Sequence, residues 1–188
     1  MKMNFFKLFL AGSFLLIACN KENKTSIDVS KQWQIDNSGT LISGLPDGQW
    51  ENRTFTTQEQ SLFNTFDTVS LSGTIKPDSV FEEKPLSRNF PSPNPFKQSN
   101  QLSFSFTNGY SGQLVLKYVI VNSGLSIMDK GAIKIQATAC STCPINISTS
   151  GIIRFNPNIP SGKFRLYYTL SAQSNPDFYK TWGNIQKN

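Results

Sequence analysis

The clearest pattern in the chain is a strict alternation of apolar and polar residues over positions 163–171. One face would hold Phe164, Leu166, Tyr168 and Leu170, and the other Lys163, Arg165, Tyr167 and Thr169. A period of two is typical of a β-strand that has one face on a core and the other in water. We therefore predict a half-exposed strand here. A shorter run, residues 102–106, repeats the pattern.

Other apolar segments extend this β pattern. Residues 113–121 are apolar on both faces except at Lys117, which predicts a central strand covered on both sides. Further candidate strands are residues 53–57, 67–75, 131–138 and 151–155, and residues 179–185 form a final strand or a docked tail. Short strands separated by Gly, Asn, Ser and Pro clusters predict an all-β fold, an antiparallel Ig-like or fibronectin-III-like β-sandwich.

A proline-rich segment, residues 77–97, interrupts the strands. It contains half of the ten prolines in the chain, at positions 77, 85, 91, 93 and 95. Proline lacks the N–H that a central strand needs, so we predict a long loop or a sheet edge.

The end of this segment carries a resemblance to a known family. Phe-Pro-Ser-Pro-Asn-Pro-Phe at 90–96, followed by alternating strands, resembles the start of the Ig-like C-terminal sorting domains of Bacteroidota secretion. The match covers about forty residues and lies in the middle of the chain. It implies a sandwich and a bacterial lineage, and no sorting function.

The N-terminus has the features of an export signal. Lys2 and Lys7 precede an apolar run, residues 8–18, that is too short to cross a bilayer as a stable helix. Leu-Ile-Ala-Cys at 16–19 resembles the lipobox of bacterial lipoproteins, which implies that residues 1–18 are a cleaved signal peptide and that Cys19 receives the lipid. A secretory peptide with an incidental cysteine is the alternative, and Ile17 fits the lipobox better.

The lipobox sets the expected organisation of the mature protein. Residues 19–30 would be the lipidated Cys19 and a flexible tether, and residues 31–188 a single β-sandwich domain. Lys21-Glu22 resembles the surface-export signal of Bacteroidota lipoproteins. We expect a protein held in the outer membrane of the cell envelope by its lipid, and exposed to the periplasm or at the cell surface.

Charge is unevenly distributed along the chain, whose net charge is +6. Residues 130–188 hold seven Lys or Arg against one acid, Asp177. A basic face could attract acidic headgroups or glycans, although a solvated surface is the interpretation we favour. Because no clustered basic motif is present, nucleic acid is not an expected partner.

Composition argues against common catalytic sites, because the chain contains no histidine. A pair of carboxylates could still act as acid and base on a glycoside. Nothing in the sequence singles out a pair among candidates such as Asp47, Glu51, Glu59, Asp67, Glu82 and Glu83. We therefore predict no catalytic residue.

Cys140 and Cys143 form a Cys-x-x-Cys motif. Thiols outside the cytoplasm tend to be oxidised, so a small disulfide is the first hypothesis and a redox pair the second. A metal site ranks last, because no further soft ligand remains once Cys19 is lipidated. We expect no cofactor other than the covalent lipid.

Two further groups of residues have possible functional roles. Thr68 and Ser79 lie in Asp-Thr-Val and Asp-Ser-Val, which resemble the O-glycan acceptor motif of exported Bacteroidota proteins. Several aromatic residues could form a binding platform or fill the core: Trp33, Trp50, Trp182, Tyr110 and Tyr179. The sequence does not decide between a binding platform and the core for these aromatic residues.

Taken together, the patterns favour a membrane-anchored, non-catalytic binding or assembly module whose partner is a protein or a glycan. The alternative functions are a carboxylate-based carbohydrate-processing hydrolase and a Cys-x-x-Cys redox lipoprotein. Two carboxylates about 5 to 10 Å apart in a deep pocket would favour the hydrolase. A helix that begins at Cys140 would favour the redox protein.

Overall fold

A computed structural model describes most of the chain. It describes residues 26–38, 40–44, 48–64, 66, 92–96, 101–107, 112–137, 148–172 and 176–188. Nearly all of its regular structure is β. The strands are β1 (Gln34–Ile35), β2 (Leu41–Ser43), β3 (Gln101–Thr107), β4 (Gly112–Val121), β5 (Ile127–Ala137), β6 (Ser148–Arg154), β7 (Gly162–Ala172) and β8 (Tyr179–Lys187), and the one described helix is α1 (Thr57–Ser61).

All strand pairs are antiparallel. The main sheet has four strands in the order β5-β4-β7-β8, and two smaller sheets are formed by β3 with β6 and by β1 with β2. The predicted strands at 102–106, 113–121, 131–138, 151–155 and 163–171 are confirmed with small shifts of their ends, and residues 179–185 form a strand. The antiparallel all-β prediction is therefore confirmed at this level.

Strand β4 is the buried centre of the main sheet, as its apolar sequence predicts. Its even-numbered residues, such as Leu116 and Ile120, pack in a large cluster with Ile153 of β6. Val119 and Val121 on the opposite face pack in a second cluster with Phe55. Both faces of the main sheet are therefore covered, because β6 packs on one face and the segment that contains Phe55 packs on the other.

The half-exposed prediction for 163–171 is wrong on one face. Of the four residues expected in water, Lys163 is exposed but the other three are buried: Arg165 is 8 % exposed, Tyr167 0 % and Thr169 3 %. The N-terminal segment covers them, since Arg165 donates a hydrogen bond to the carbonyl of Asp28, and Phe55 packs edge-on against Tyr167 at 5.6 Å. Alternation identified the strand correctly but could not show what lies over its polar face.

The predicted strand at 53–57 is also wrong, because its end starts a helix. Thr56 caps α1: its hydroxyl accepts from the N–H of Glu59, and the Glu59 carboxylate accepts from the N–H of Thr56. This reciprocal pair is a capping box, which satisfies two donors that a helix start leaves unpaired. The Thr-x-x-Glu spacing was visible in the sequence and outweighs the β-propensity of Phe55 and Thr56.

The end of the proline-rich segment packs against the main sheet. Asn94 forms an isolated bridge with Ile35, and Phe96 forms one with Lys187 at the end of β8. Asn94 is fully buried, and its side-chain amide donates to the carbonyls of Trp33 and Asn184. Residues 92–96 thus bind at the edge that β8 presents, and the rest of the predicted loop, residues 77–91 and 97, lies outside the described residues.

Two glycines make room for aromatic rings on the main sheet. A Cβ on Gly183 would overlap the Trp50 indole ring, and a Cβ on Gly131 would come within 2.6 Å of the Tyr118 ring. Trp50 has a left-handed backbone with φ of 62° and is 2 % exposed. Glycine at 183 therefore allows Trp50 to lie directly on β8.

Candidate binding groove

Three polar residues form one row across the main sheet. Lys117 of β4 is paired with Thr169 of β7, and Thr169 is paired with Lys180 of β8. Directly opposed residues in an antiparallel sheet have Cβ atoms about 4.5 to 5.5 Å apart and point to the same face. The register therefore places a threonine hydroxyl between two lysines.

This row forms the floor of a groove that we call the lysine groove. Its cavity measures about 220 Å³, and Phe55, Phe63, Lys117, Thr169, Asp177 and Lys180 are among its lining residues. An adjoining cavity of about 380 Å³ shares Asp177 and Lys180 and extends towards Arg53. The linings of the two cavities together contain three basic side chains, Arg53, Lys117 and Lys180, and one acid, Asp177.

The segment that carries α1 forms the wall of the groove. The side-chain amide of Gln60 donates to the carbonyl of Phe55 at 2.9 Å. This bond fastens α1 to the residue that precedes its N-cap, Thr56. The Phe55 ring stacks with Phe63 at 5.7 Å between centroids. Since Phe55 also packs against Tyr167, the wall is held on the same sheet face as the lysine row.

Thr169 has a buried hydroxyl with no hydrogen-bond partner among the described residues. The residue is 3 % exposed. Buried polar groups are nearly always hydrogen-bonded in folded proteins, so an unpartnered hydroxyl on a groove floor calls for a specific explanation.

Asp177 is the one carboxylate among the described residues that line the lysine groove. Its Oδ1 accepts a hydrogen bond from the Ser171 hydroxyl at 2.7 Å, and its backbone N–H donates to the hydroxyl oxygen of Ser171 at 3.0 Å. These bonds hold the turn before β8, where Asp177 has a φ of 49°. The carboxylate thus has a structural role and forms no ion pair with either lysine of the row in the described part of the chain.

A third cavity, of about 370 Å³, lies elsewhere on the main sheet beside Tyr118, Gly131 and Arg154. Burial raises the pKa of the Tyr118 hydroxyl above its usual value of 10. Asp129, its nearest carboxylate, accepts a hydrogen bond from the N–H of Asn156 at 3.0 Å. Because these polar groups hold the loop after β6, we assign this cavity a structural role.

Few of the site residues predicted from the sequence lie among the residues that the structure describes. Cys19, Cys140, Cys143, Thr68 and Ser79 lie outside the described residues. Of the candidate carboxylates, Glu51 is exposed, Glu59 caps α1, and the others also lie outside. Within the described ranges, no cluster of three or more Cys, Asp or Glu could hold a metal ion.

The candidate aromatic residues separate into core and partly exposed positions. Trp50 and Tyr179 are buried in the large cluster, which identifies them as core residues. Trp33 and Trp182 are partly buried, and Tyr110 lies outside the described residues. These positions do not form a shared surface platform.

Known proteins provide no guide to this site: the chain matches no family model, no curated protein and no solved structure. In the described part of the chain, no helix has the length and apolar character needed to cross a bilayer.

Proposed function

We propose that this protein is a lipid-anchored module of the bacterial envelope that binds a partner, protein or glycan, through the lysine groove without catalysing a reaction. The lipobox at residues 16–19 supports the anchor on Cys19. A location in the outer membrane, facing the periplasm or the cell surface, follows from that anchor.

The observation that carries the binding role is the row Lys117, Thr169 and Lys180 on the groove floor. Lys117 and Thr169 lie within long, paired strands, Lys180 lies at the start of β8, and Thr169 is buried between the two lysines. Sites built on strands are held more rigidly than sites on loops, which favours specific recognition. Three polar groups aimed into one groove are typical of a binding site.

Support for binding rather than hydrolysis comes from the lining of the groove. A retaining or inverting glycosidase uses two carboxylates on either side of the bond that it cleaves. The described lining offers only Asp177, and Ser171 holds that carboxylate. Lysines and a threonine can bind a ligand, but this set lacks the acid–base pair that the alternative function requires.

We further propose that the body is an Ig-like or fibronectin-III-like sandwich. The packing of Ile153 from β6 with Leu116 and Leu166 of the main sheet supports two layers around one core. The resemblance of residues 90–96 to sorting domains supports the same fold.

The anchor is tested by comparing the wild-type protein with Cys19→Ser in membrane fractions of the producing bacterium. Wild-type protein is expected in the membrane fraction with an N-terminal mass that includes lipid, and Cys19→Ser is expected in the soluble fraction. Cys140→Ser is the matched control and should stay with the membrane. Wild-type protein that is soluble and lacks lipid would overturn the proposal.

Protease treatment of intact and lysed cells then tests the location. Digestion in intact cells would place the module at the cell surface. Protection in intact cells together with digestion after lysis would place it in the periplasm.

A further inference from the structure

We infer that the lysine groove contains an oxyanion-binding subsite, formed by Lys117, Lys180 and Thr169, that binds the carboxylate or phosphate of an acidic glycan. This inference rests on the proposed binding role of the groove and specifies its ligand. The side chains of Lys117 and Lys180 provide two ammonium groups, and Thr169 provides a hydroxyl donor.

The strand register brings the three groups together. Thr169 is the direct neighbour of both lysines, so each lysine Cβ lies about 5 Å from that of Thr169. A lysine has a flexible four-carbon stem with three donor hydrogens at its end. Both ammonium groups can therefore converge on one anion that sits above the threonine.

Charge in the groove is unbalanced. Neither Lys117 nor Lys180 forms an ion pair with a carboxylate in the described ranges, and the one described acid of the lining, Asp177, is hydrogen-bonded to Ser171. Lys117 and Lys180 lie on either side of Thr169 with Cβ atoms about 10 Å apart, and their ammonium groups repel each other when both lean over the threonine. A bound anion would remove this repulsion and form charge-assisted hydrogen bonds with both ammonium groups.

The Thr169 hydroxyl is a second, independent indication of a ligand. It is buried, lines the groove and has no partner among the described residues. Valine has the same shape and a high strand propensity, so an apolar residue would suit a purely structural position. The hydroxyl oxygen is sealed from solvent, so it can donate to a bound oxygen only when a flexible side chain of the groove moves off it.

The rest of the groove suits a saccharide. Phe63 offers the exposed part of a ring that stacks with Phe55 and Phe66, and the exposed residue Asn64 offers an amide beside it. The edge of an aromatic ring can contact the apolar parts of a sugar, and an amide can bind its hydroxyls. The adjoining cavity of about 380 Å³ gives space for further sugar units beyond the anionic one.

Calorimetry on the mature lipoprotein in detergent tests this inference. The probes are a galacturonate trisaccharide for the carboxylate and glucose 6-phosphate for the phosphate, each compared with its neutral counterpart, a galactose trisaccharide or glucose. At least one anionic probe should bind, its neutral counterpart should bind at least about tenfold more weakly, and added salt should weaken binding.

Variants locate the binding. Lys117→Gln and Lys180→Gln should each weaken binding of the anionic probe about tenfold, and Thr169→Val about threefold or more. Lys134→Gln is the matched control, because Lys134 is an exposed lysine of β5 outside the groove lining, and it should bind like wild type. Urea midpoints should confirm that every variant is folded.

The outcomes separate the two proposals. Equal binding of acidic and neutral probes, with a loss of both in Phe63→Ala, would overturn the oxyanion subsite and leave the groove as a binding site. Anionic probes that bind wild type and Lys117→Gln equally would also overturn the subsite. The absence of binding by every probe overturns the inference about the ligand, while the fractionation of Cys19→Ser tests the anchored module separately.

Discussion

The guanidinium carbon of Arg165 lies 3.8 Å from the centroid of the Trp182 indole ring. The same side chain donates from Nε to Oδ1 of Asn184 at 3.0 Å and donates to the carbonyl of Asp28. Asn184 in turn donates to the carbonyl of Lys31 at 2.6 Å. These contacts fasten the N-terminal segment to β7 and β8 through one buried cation.

Replacing Arg165 should therefore loosen the N-terminal segment. Arg165→Met keeps the length of the side chain but leaves the buried Oδ1 of Asn184 unpaired and removes one of the two hydrogen bonds to the Asp28 carbonyl, so we expect the free energy of unfolding to fall by about 1 to 3 kcal/mol. Arg165→Lys keeps the charge but loses the planar fork and the stacking, so its loss should be about 1 to 2 kcal/mol. Urea unfolding measures both.

Amide hydrogen exchange provides a local test of the same contact. The Ile27 N–H donates to the carbonyl of Ser123 at 2.8 Å, and it should exchange faster in Arg165→Met than in wild type. Lys134→Met, at an exposed position of β5, is the control. Equal losses of stability in the two methionine variants would contradict the role of Arg165.

Gly183→Ala should strongly destabilise the protein. The new methyl group would overlap the Trp50 ring, whose backbone is held by hydrogen bonds to the Trp182 carbonyl and from the Tyr179 hydroxyl. Because neither side can move freely, we expect a loss of about 2 to 4 kcal/mol and a change in tryptophan fluorescence. Gly124→Ala, where the new Cβ meets only Asn122 at 3.5 Å, should be close to neutral.

Asn94→Asp should also destabilise the fold. The buried amide of Asn94 donates to the carbonyls of Trp33 and Asn184, and its oxygen accepts from the N–H of Gln186 at 2.9 Å. A carboxylate cannot donate, so two carbonyls would face a buried negative charge at a cost of about 3 kcal/mol or more. The exposed residue Asn158 gives the control, Asn158→Asp. A urea midpoint that moves no more in Asn94→Asp than in the control would contradict this assignment.

Stability should fall at alkaline pH because the described tyrosines are buried. Burial raises the pKa of Tyr167 and of Tyr179 from 10 to about 12, and raises the pKa of Tyr118 and Tyr168 in the same direction. From pH 10 to pH 12 the unfolded chain loses protons that the folded chain keeps. Each such tyrosine therefore lowers the free energy of unfolding by about 1.4 kcal/mol per pH unit in this window.

Ultraviolet titration of tyrosinate checks this directly. At least four of the five tyrosines should ionise well above pH 10 in the folded protein, and all should ionise near pH 10 in guanidinium chloride. Full ionisation of the folded protein near pH 10 would show that these hydroxyls are accessible to water.

Cys140 and Cys143 are expected to be joined in a small disulfide, and Thr68 and Ser79 to carry O-glycans. Freshly isolated protein should resist alkylation at both cysteines until a reductant is added. Its intact mass should exceed the mass of chain plus lipid by that of the glycans. Labelling of either cysteine under native conditions, or a mass without glycan, would contradict the corresponding proposal.

Periodicity in the sequence was sufficient to find the long strands β3 to β8, because it depends only on local geometry, but it missed the short strands β1 and β2 and wrongly placed a strand at 53–57. Residues 163–171 and 113–121 form neighbouring strands of the main sheet, and the double apolar face around Lys117 marked the centre correctly. The burial of the polar face of β7 could not be predicted, because it depends on contacts with Asp28 and Phe55, which lie more than 100 positions earlier in the chain.

The lysine groove could be found only in part from the sequence. The excess of basic residues after position 130 and the single acid Asp177 were visible, and a solvated surface was the favoured explanation. Lys117 lies outside that region of the sequence. The pairing register brings it next to Thr169, and a register cannot be inferred from one sequence without knowing which strands are neighbours.

The hydrogen bond from Ile27 to Ser123 at the turn between β4 and β5 would set how far the proposed lipid-anchored protein reaches from a membrane. Ile27 follows the proposed lipid-bearing Cys19 by eight residues, which span at most about 29 Å. Lys117 lies four residues along β4 from the strand end at Val121, which is a distance of about 13 Å along the strand. A protein tethered in this way would bind ligands only within a layer a few nanometres deep above the bilayer. Long or membrane-attached glycans that enter this layer would be within its reach, and ligands that stay outside it would not.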